Sequence, residues 1–585
     1  MNRTSSVRTL NCTFACKNRG NNLMRTDKIR EMLMIVVAWL SAVPGVAQGS
    51  DHNFNIVKNL DVLNVIYKHL DMLYVDTLDA NEVVGTGINA MLRSLDPYTE
   101  YYPEEKVKDL TFLRTGTYAG FGAIIRYNFA LGRVVIGEPY EGMPSAEAGV
   151  RMGDIIESID GESMEGKSTS YVSEHLRGEA GTTFELKVRR PATGEVLTRR
   201  VTRKAIQTPA IPYYGLLENG VGYIALHSFT ENASKDVRRA FIDLKKQGMC
   251  SLLLDLRDNG GGSEMEAVNI VNMFVPKGRL VVSNRGKLAR ANHDYKTTVE
   301  PLDTLMPIAV LVNGNTASAS EITSGALQDM DRAVIVGTRT FGKGLVQMTI
   351  DMPYNGTLKL TTNKYYIPSG RCIQAINYAK TRENGGNRSL YGERVPDSLT
   401  HVFHTANGRE VRDGGGIMPD VEVKPDSVSN LVFSLTQLVD SSELVLNYEL
   451  DYLARHDQIA PPREFMLTDE DYEDFKQMVM KSNFKYDRST ETYLDNLEKI
   501  AKYEDYYNDA REEFDRLRAK LKHDVGKDLD RDRETLKQIL ANDIVTVFYF
   551  QRGAVEHSLT ADKIVKRAVQ LLGDSEEYSR ILKLK

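Results

Sequence analysis

The stretch GTRTFGKGLVQ, from Gly337 to Gln347, decides how the chain is read. Gly337, Gly342 and Lys343 match GxxxxGK, the opening of a phosphate-binding loop. Such a loop needs Ser or Thr after the lysine to hold magnesium, and Gly344 stands there. It should also open a helix whose first amides face the phosphates. Instead LVQMTIDM and then YNGTLKLTT follow, a pattern of strand, turn at Asn355-Gly356, and strand. Residues an even number apart share a strand face, so Lys343 and Gln347 are expected to project together. A nucleotide hydrolase is therefore the weaker reading, and Lys343 needs another partner.

The partner is sought at the ends of neighbouring buried strands. NGNTASASEITSGALQDM follows the apolar run IAVLV (Ile308 to Val312). A sharp strand-to-helix turn exposes a side chain there, and the helix N-terminus supplies unpaired amides. Ser318-Ala-Ser-Glu321 is equally a capping box, in which serine caps and Glu321 reaches back, and a serine in that place is more often a cap than a nucleophile. Thr316 and Ser320 are equally good hydroxyls on chemistry alone. DLRDNGGG (Asp255 to Gly262) follows a second buried run, LLL, and its glycines either let amides approach a ligand or serve a turn of positive φ. Lys343 follows the strand-like AVIV, which puts it at the same sheet edge as Ser318. No histidine stands as an obvious base, so lysine would have to take the serine's proton.

At 585 residues the chain is too long for one core and calls for three or four domains. Its 26% charged and 42% hydrophobic residues are ordinary for soluble globular protein, and a net charge of −6 gives no general attraction to nucleic acid. The ten histidines show neither HExxH nor paired CxxC spacing, so no metal site is expected. Lys28 and Arg30 precede MLMIVVAWLSAVPGVA (Met32 to Ala47), and Gly45-Val46-Ala47 supplies the small residues of a signal-peptidase site. Export to a bacterial periplasm or envelope is expected, with an uncleaved inner-membrane anchor as the alternative. Residues 1–23 fit neither role, and translation from Met24 would account for them. Loss of the leader removes Cys12 and Cys16, and Cys250 with Cys372 makes no disulfide framework.

Along the chain, Asn55 to about Leu113 is helical in pattern, and about Thr115 to Ile206 turns to short strands and glycine turns. From Tyr213 to about Val423 strands and helices alternate, as in an α/β core. The charged remainder from about Val428 is mostly amphipathic helix, broken at Pro461-Pro462.

The segment TASASEITSGALQD…VIVGTRTFGKGLVQ resembles the active-site signature of the C-terminal processing peptidases, or tail-specific proteases. The resemblance covers residues 55 to about 425, with several motifs in the same order. It implies Ser318 as nucleophile, Lys343 as base and Gln347 as the residue orienting the lysine. The implied oxyanion donors are the amides of Ala319 and of Gly261 or its neighbour Gly262. Asp329 matches a further acidic position, read as structural. The sequence departs from the family pattern at Thr316, where the first Ser of SASAS is usual, and at Gly260, where Ser or Pro is common.

The family carries an inserted PDZ domain, and 115–206 reads like one. Gly120-Phe121-Gly122 resembles the loop whose amides grip a terminal carboxylate, and Tyr171, Val172, His175 and Leu176 are candidate groove residues. Core packing accounts equally well for two of those four. Arg177 is the implied link from PDZ to protease.

The expectation is an α/β (α+β) multidomain chain, with leader 1–47, N-terminal helical region 48–113, PDZ 114–206, protease core 207–427 and C-terminal helical domain 428–585. The core is expected to hold a parallel or mixed sheet with flanking helices. The expected activity is serine endopeptidase cleavage of proteins with accessible C-terminal tails, without cofactor. A catalytically silent PDZ scaffold is the alternative. A homo-oligomer or regulatory partner is expected to bind through residues 428–585.

Overall fold

The computed structural model describes residues 50–129, 131–191, 193–378, 394–437, 439–482, 484–486, 489–521 and 524–584. The leader and signal segment lie outside the described residues. Two compact units divide between Gly87 and Ile88. The first holds helix α1 (Ser50–Leu73) and the start of α2 (Ala80–Arg93). Among the described residues no helix is long and apolar enough to cross a membrane.

The second unit begins with the end of α2, strand β1 (Glu100–Tyr102) and helix α3 (Val107–Thr115). The glycine-punctuated region then gives β2 (Thr117–Gly120), β3 (Ala123–Asn128), β4 (Arg133–Pro139), β5 (Ile155–Ile159), α4 (Thr169–Leu176), β6 (Thr183–Arg189), β7 (Val196–Thr202) and β8 (Lys204–Gln207). An antiparallel sheet runs β3-β4-β5-β6-β7, and β2 pairs with β8. The alternation in TFELKVR is the cause of its burial pattern: Phe184, Leu186 and Val188 face inward while Thr183, Glu185 and Lys187 face water. The inward set closes on Phe121, Val172 and Leu176.

The alternating region yields β9 (Tyr213–Leu216), β10 (Val221–Ala225), α5 (Ala233–Lys246), β11 (Ser251–Asp255), α6 (Glu264–Val271), β12 (Leu280–Gly286), β13 (His293–Lys296), β14 (Ile308–Val312), α7 (Ala319–Asp329), β15 (Val334–Gly337), β16 (Leu345–Asp351), β17 (Thr357–Tyr366) and β18 (Val421–Glu422). The central sheet runs β9-β10-β11-β14-β15-β18, parallel except for the β9/β10 pair. A second sheet runs β1-β17-β12-β13, with β16 paired to β17. Both are joined to one core around Val281, Tyr365 and Ile367.

Strands such as IAVLV are apolar without alternation, and strands of that kind need cover on both faces. Strand order follows chain order from β10 to β15, so right-handed crossovers put α5, α6 and α7 on one face. There Val237, Phe241, Val268 and Ile322 pack on Ile224, Leu252, Leu254 and Val310. The other face is covered from much further along the chain.

From Asn430 the chain is helical: α8 (Asn430–Gln437), α9 (Val439–Arg455), α10 (Asp469–Lys481), α11 (Ser489–Tyr503), α12 (Arg511–Leu521), α13 (Val525–Arg531), α14 (Arg533–Ser558), α15 (Lys563–Gly573) and α16 (Ser575–Leu582). Tyr448, Tyr472, Phe475, Leu529 and Ile544 form the separate core of this region. Helices α15 and α16 instead lay Val565, Ala568, Leu571 and Leu582 against Tyr223, Leu253, Ala309 and Leu311. The Tyr578 hydroxyl accepts the N–H of Ile308 at 3.0 Å and donates to its carbonyl at 3.1 Å. A cut at 427/428 would therefore strip the central sheet of its second covering layer.

Candidate active site

Strand β14 ends in the turn that leads into α7, and three hydroxyls lie on it. The Thr316 hydroxyl donates to Leu256 O at 2.8 Å and accepts Asn313 N–H at 2.9 Å, which closes the turn. The Ser320 hydroxyl is buried and donates to Asn259 O at 2.9 Å. Both are committed to structure. Ser318 is partly exposed and has φ 58°, ψ −116°. That backbone is costly for a residue with a Cβ and persists only where surroundings enforce it.

Glu321 does the enforcing. One carboxylate oxygen accepts the backbone N–H of Ser318 and that of Lys343, each at 2.9 Å. The other accepts Gly342 N–H at 2.7 Å and the Thr340 hydroxyl at 2.5 Å. A single buried carboxyl thus ties the start of α7 to the loop before β16. Burial pushes its pKa up to about 7, against the four hydrogen bonds that favour the ionised form. The sequence signal for it was the capping box. The box forms at the start of α7, and the Glu321 N–H also reaches the Ser318 carbonyl at 2.8 Å.

The loop Asp255–Gly262 passes directly beside Ser318. At Gly261, φ 99°, a Cβ would lie 2.8 Å from Ser318 Cβ and 2.9 Å from Ala319 N, so only glycine fits. The Gly261 N–H donates to Asn259 Oδ1 at 2.9 Å and is therefore occupied. Among the described residues the N–H groups of Gly262 and Ala319 have no hydrogen-bond partner. Of the two glycines named from the sequence, Gly262 keeps the available donor. Arg257 anchors this loop from behind: it pairs with Asp255 at 2.5 Å and, across the fold, with Asp562 at 2.6 Å.

Lys343 lies in the loop before β16. The residues after it form a strand, so no helix N-terminus stands behind the GxxxxGK stretch to receive phosphate. Among the described residues its Nζ has neither hydrogen-bond nor ion-pair partner, and it sits 4.5 Å from the centroid of the Tyr98 ring. Burial lowers its pKa to about 8; Lys359 pushes the same way, while Glu321, Asp96 and Glu100 oppose. The Gln347 amide donates to Thr361 Oγ1 at 3.1 Å, beside the register shift at which Thr362 of β17 has no opposite residue on β16. Tyr98 was not singled out from the sequence; its only signal was its place in the turn-rich DPYTEYY.

Asp329, at the end of α7, forms a buried pair with Arg371 at 2.8 Å and accepts Ser369 N–H at 3.0 Å. Its carboxylate is committed to these two partners.

In the 115–206 region, Phe121 is buried, and the carbonyls of Phe121 and Gly122 accept Ser145 and Tyr140 N–H at 2.9 Å. The N–H groups of Phe121 and Gly122 have no partner among the described residues. Gly120 ends β2, paired with Lys204. Strand β3 is an edge, paired only with β4, so it can accept an added strand. Val172 and Leu176 are buried in the domain core, because that face of α4 packs on Phe121 and Phe184. This corrects their reading as groove residues. Tyr171 and His175 remain partly exposed and stack at 4.4 Å. Arg177 lies 5.1 Å from the Tyr118 ring and 3.5 Å from Asp109, so its contacts reach α3 and β2 rather than the central sheet. Among the described residues no cluster of His, Cys, Asp or Glu could hold a metal ion.

The sequence of peptidase family S41 matches residues 220–381, a PDZ domain matches 135–190, and the C-terminal helical domain of probable PDZ-proteases matches 435–572. A carboxy-terminal-processing protease of Bartonella bacilliformis is 37% identical over 326 residues, 55% of this chain and 74% of that protein. A chloroplastic C-terminal processing peptidase of Tetradesmus obliquus is 34% identical over 316 residues, 52% of this chain and 68% of that one. A probable CtpA-like serine protease of Staphylococcus aureus is 32% identical, and the match spans 62% of its length. Among solved structures, a photosystem II D1 C-terminal processing protease is 27% identical with a TM-score of 0.35, covering 65% of this chain and 90% of that one.

Proposed function

Because the chain belongs to the carboxy-terminal-processing branch of the S41 serine peptidases, we propose that it is an exported endopeptidase in which Ser318 and Lys343 form a catalytic dyad. The observation that carries this reading is the shared Glu321 oxygen, which fixes the strained serine and the lysine loop to one atom. A lysine buried to a pKa of about 8 has a usable neutral fraction at mildly alkaline pH, as a general base requires.

Lys343 Nζ takes the proton from Ser318 Oγ as the oxygen attacks the scissile carbonyl. The tetrahedral oxyanion forms against the unpartnered amides of Ala319 and Gly262. The ammonium then protonates the leaving amine, the C–N bond breaks, and an acyl-Ser318 ester remains. Water, deprotonated by the same lysine, hydrolyses that ester and frees the serine. Gln347 acts one step away, through Thr361 on β17 rather than through the amine.

Substrate is chosen by its free C-terminus. The amides of Phe121 and Gly122 receive the carboxylate, and the tail adds along the open edge of β3 with Tyr171 and His175 as the opposite wall. Export rests on the apolar segment Met32–Ala47 with its preceding basic residues.

A fluorophosphonate probe tests the nucleophile. Labelling of the full chain at one serine, lost in Ser318→Ala and kept in Ser320→Ala, is the expected result. Undiminished labelling of a folded Ser318→Ala protein would overturn the assignment.

A further inference from the structure

The turn Asp96–Tyr102 belongs by sequence to the helical N-terminal stretch, yet it is fastened to the strand beside the lysine. Asp96 Oδ1 accepts the N–H groups of Tyr98 and Thr99, each at 2.8 Å, which sets the turn. Thr99 Oγ1 accepts Thr361 N–H at 3.2 Å, and β1 pairs with β17 from Glu100 opposite Lys359 to Tyr102 opposite Thr357. Glu100 and Lys359 add an ion pair at 2.8 Å. Tyr98 is held from its far side as well: its ring meets Tyr378 edge-on at 6.1 Å, and the two hydroxyls are 3.4 Å apart. So held, the ring lies over the Lys343 amine, 4.5 Å from Nζ to its centroid.

We propose that Tyr98 is a positioning residue for the general base: the turn lays its ring across Lys343 Nζ, keeping bulk water off the nitrogen without offering it a hydrogen-bond acceptor. The inference rests on the reading of Lys343 as the base. Two effects of the ring oppose each other. Excluding water disfavours the ammonium, by up to about 3–5 pK units for full burial. The π face attracts the ammonium, which at a desolvated site favours it by about one and a half pK units. Exclusion wins by magnitude. The charged groups facing the amine divide similarly: Lys359 on β17 lowers its proton affinity, while Glu321 on α7 and Asp96 and Glu100 on the turn raise it. Among the described residues none of these carboxylates is hydrogen-bonded to the amine, and they act on it through charge alone.

The test uses full-length Tyr98→Phe, Tyr98→Ala and Tyr98→Gln proteins, with fold checked by circular dichroism. Two readouts are taken against pH: kcat/KM, and the rate of acetylation of Lys343 by acetic anhydride, measured on its peptide by mass spectrometry. The second titrates the amine whether or not the enzyme turns over. Tyr98→Phe should match the parent in both, since the contact is the ring. Tyr98→Ala should move both titrations alkaline by about one unit, a roughly tenfold loss at pH 7 that is recovered near pH 10. Tyr98→Gln fills much of the space but brings polar atoms, and it should shift in the same direction; it carries the test if the alanine protein does not fold. An unshifted Lys343 titration in a folded Ala or Gln variant overturns the role of Tyr98. Activity of Lys343→Arg would instead overturn the base assignment beneath it, so the two failures are separable.

Discussion

Glu321 accepts the backbone N–H of Lys343 at 2.9 Å while its own N–H binds the carbonyl of Ser318 in the first turn of α7. The carboxyl is fully buried and faces donors only: three backbone N–H groups and one hydroxyl. Glu321→Gln should therefore be severe despite its size, because the new NH2 must point at one of these donors. Leaving buried N–H groups unpaired costs about 1–3 kcal/mol. The expected outcome is a kcat loss of about ten- to a hundredfold with a smaller change in KM, read in steady-state kinetics on folded protein. A variant with native kcat would show that the loops need no such tie.

The ion pair of Arg257 with Asp562 joins the glycine loop to α15 across 305 positions of sequence. Asp562 also caps α15, accepting Ile564 and Val565 N–H at 2.8 and 3.1 Å. Asp562→Asn keeps the cap and loses the charge; Asp562→Ala loses both. In urea unfolding Ala should be less stable than Asn by about 1 kcal/mol, and both should sit below the parent. Equal stability of all three would mean that the contact contributes nothing.

The two sides of α4 should behave differently. Leu176→Ala removes a core side chain and should destabilise the PDZ domain by about 2–5 kcal/mol. Tyr171→Ala should leave melting nearly unchanged and weaken the binding of a peptide tail, as should amidation of that peptide's C-terminus. Isothermal titration with free-acid and amidated peptides reads both effects. Equal affinity for the two peptides would remove the carboxylate from recognition.

The central sheet was legible because IAVLV and LLL are unbroken apolar runs that lead into Ser- and Gly-rich turns. What those runs could not say is which segment covers their second face. Amphipathic spacing in KIVKRAVQLLG announces an apolar side, but the 3.6-residue period names no partner, and α15 proved to lie on the sheet rather than in the bundle of α8–α14. Period two likewise could not give the partner of Gln347, because the register shift at Thr362 of β17 sets which residue stands opposite it. The motif names Gly261 and Gly262 alike, and only the Asn259 hydrogen bond separates them. Tyr98 was invisible for a different reason: nothing local in DPYTEYY says that the turn pairs with β17.

The central claim is that neutral Lys343 is the base, and the pH dependence of kcat/KM in the parent and in Lys343→Arg tests it most directly. With a pKa near 8, about a tenth of the lysine is neutral at pH 7 and nearly all of it above pH 9. The parent's kcat/KM should rise about tenfold per pH unit below that value and level off above it. Lys343→Arg, whose guanidinium stays protonated, should be as inactive as Lys343→Ala at every pH while folded. Cleavage by folded Lys343→Arg at close to the parent's rate would contradict the account.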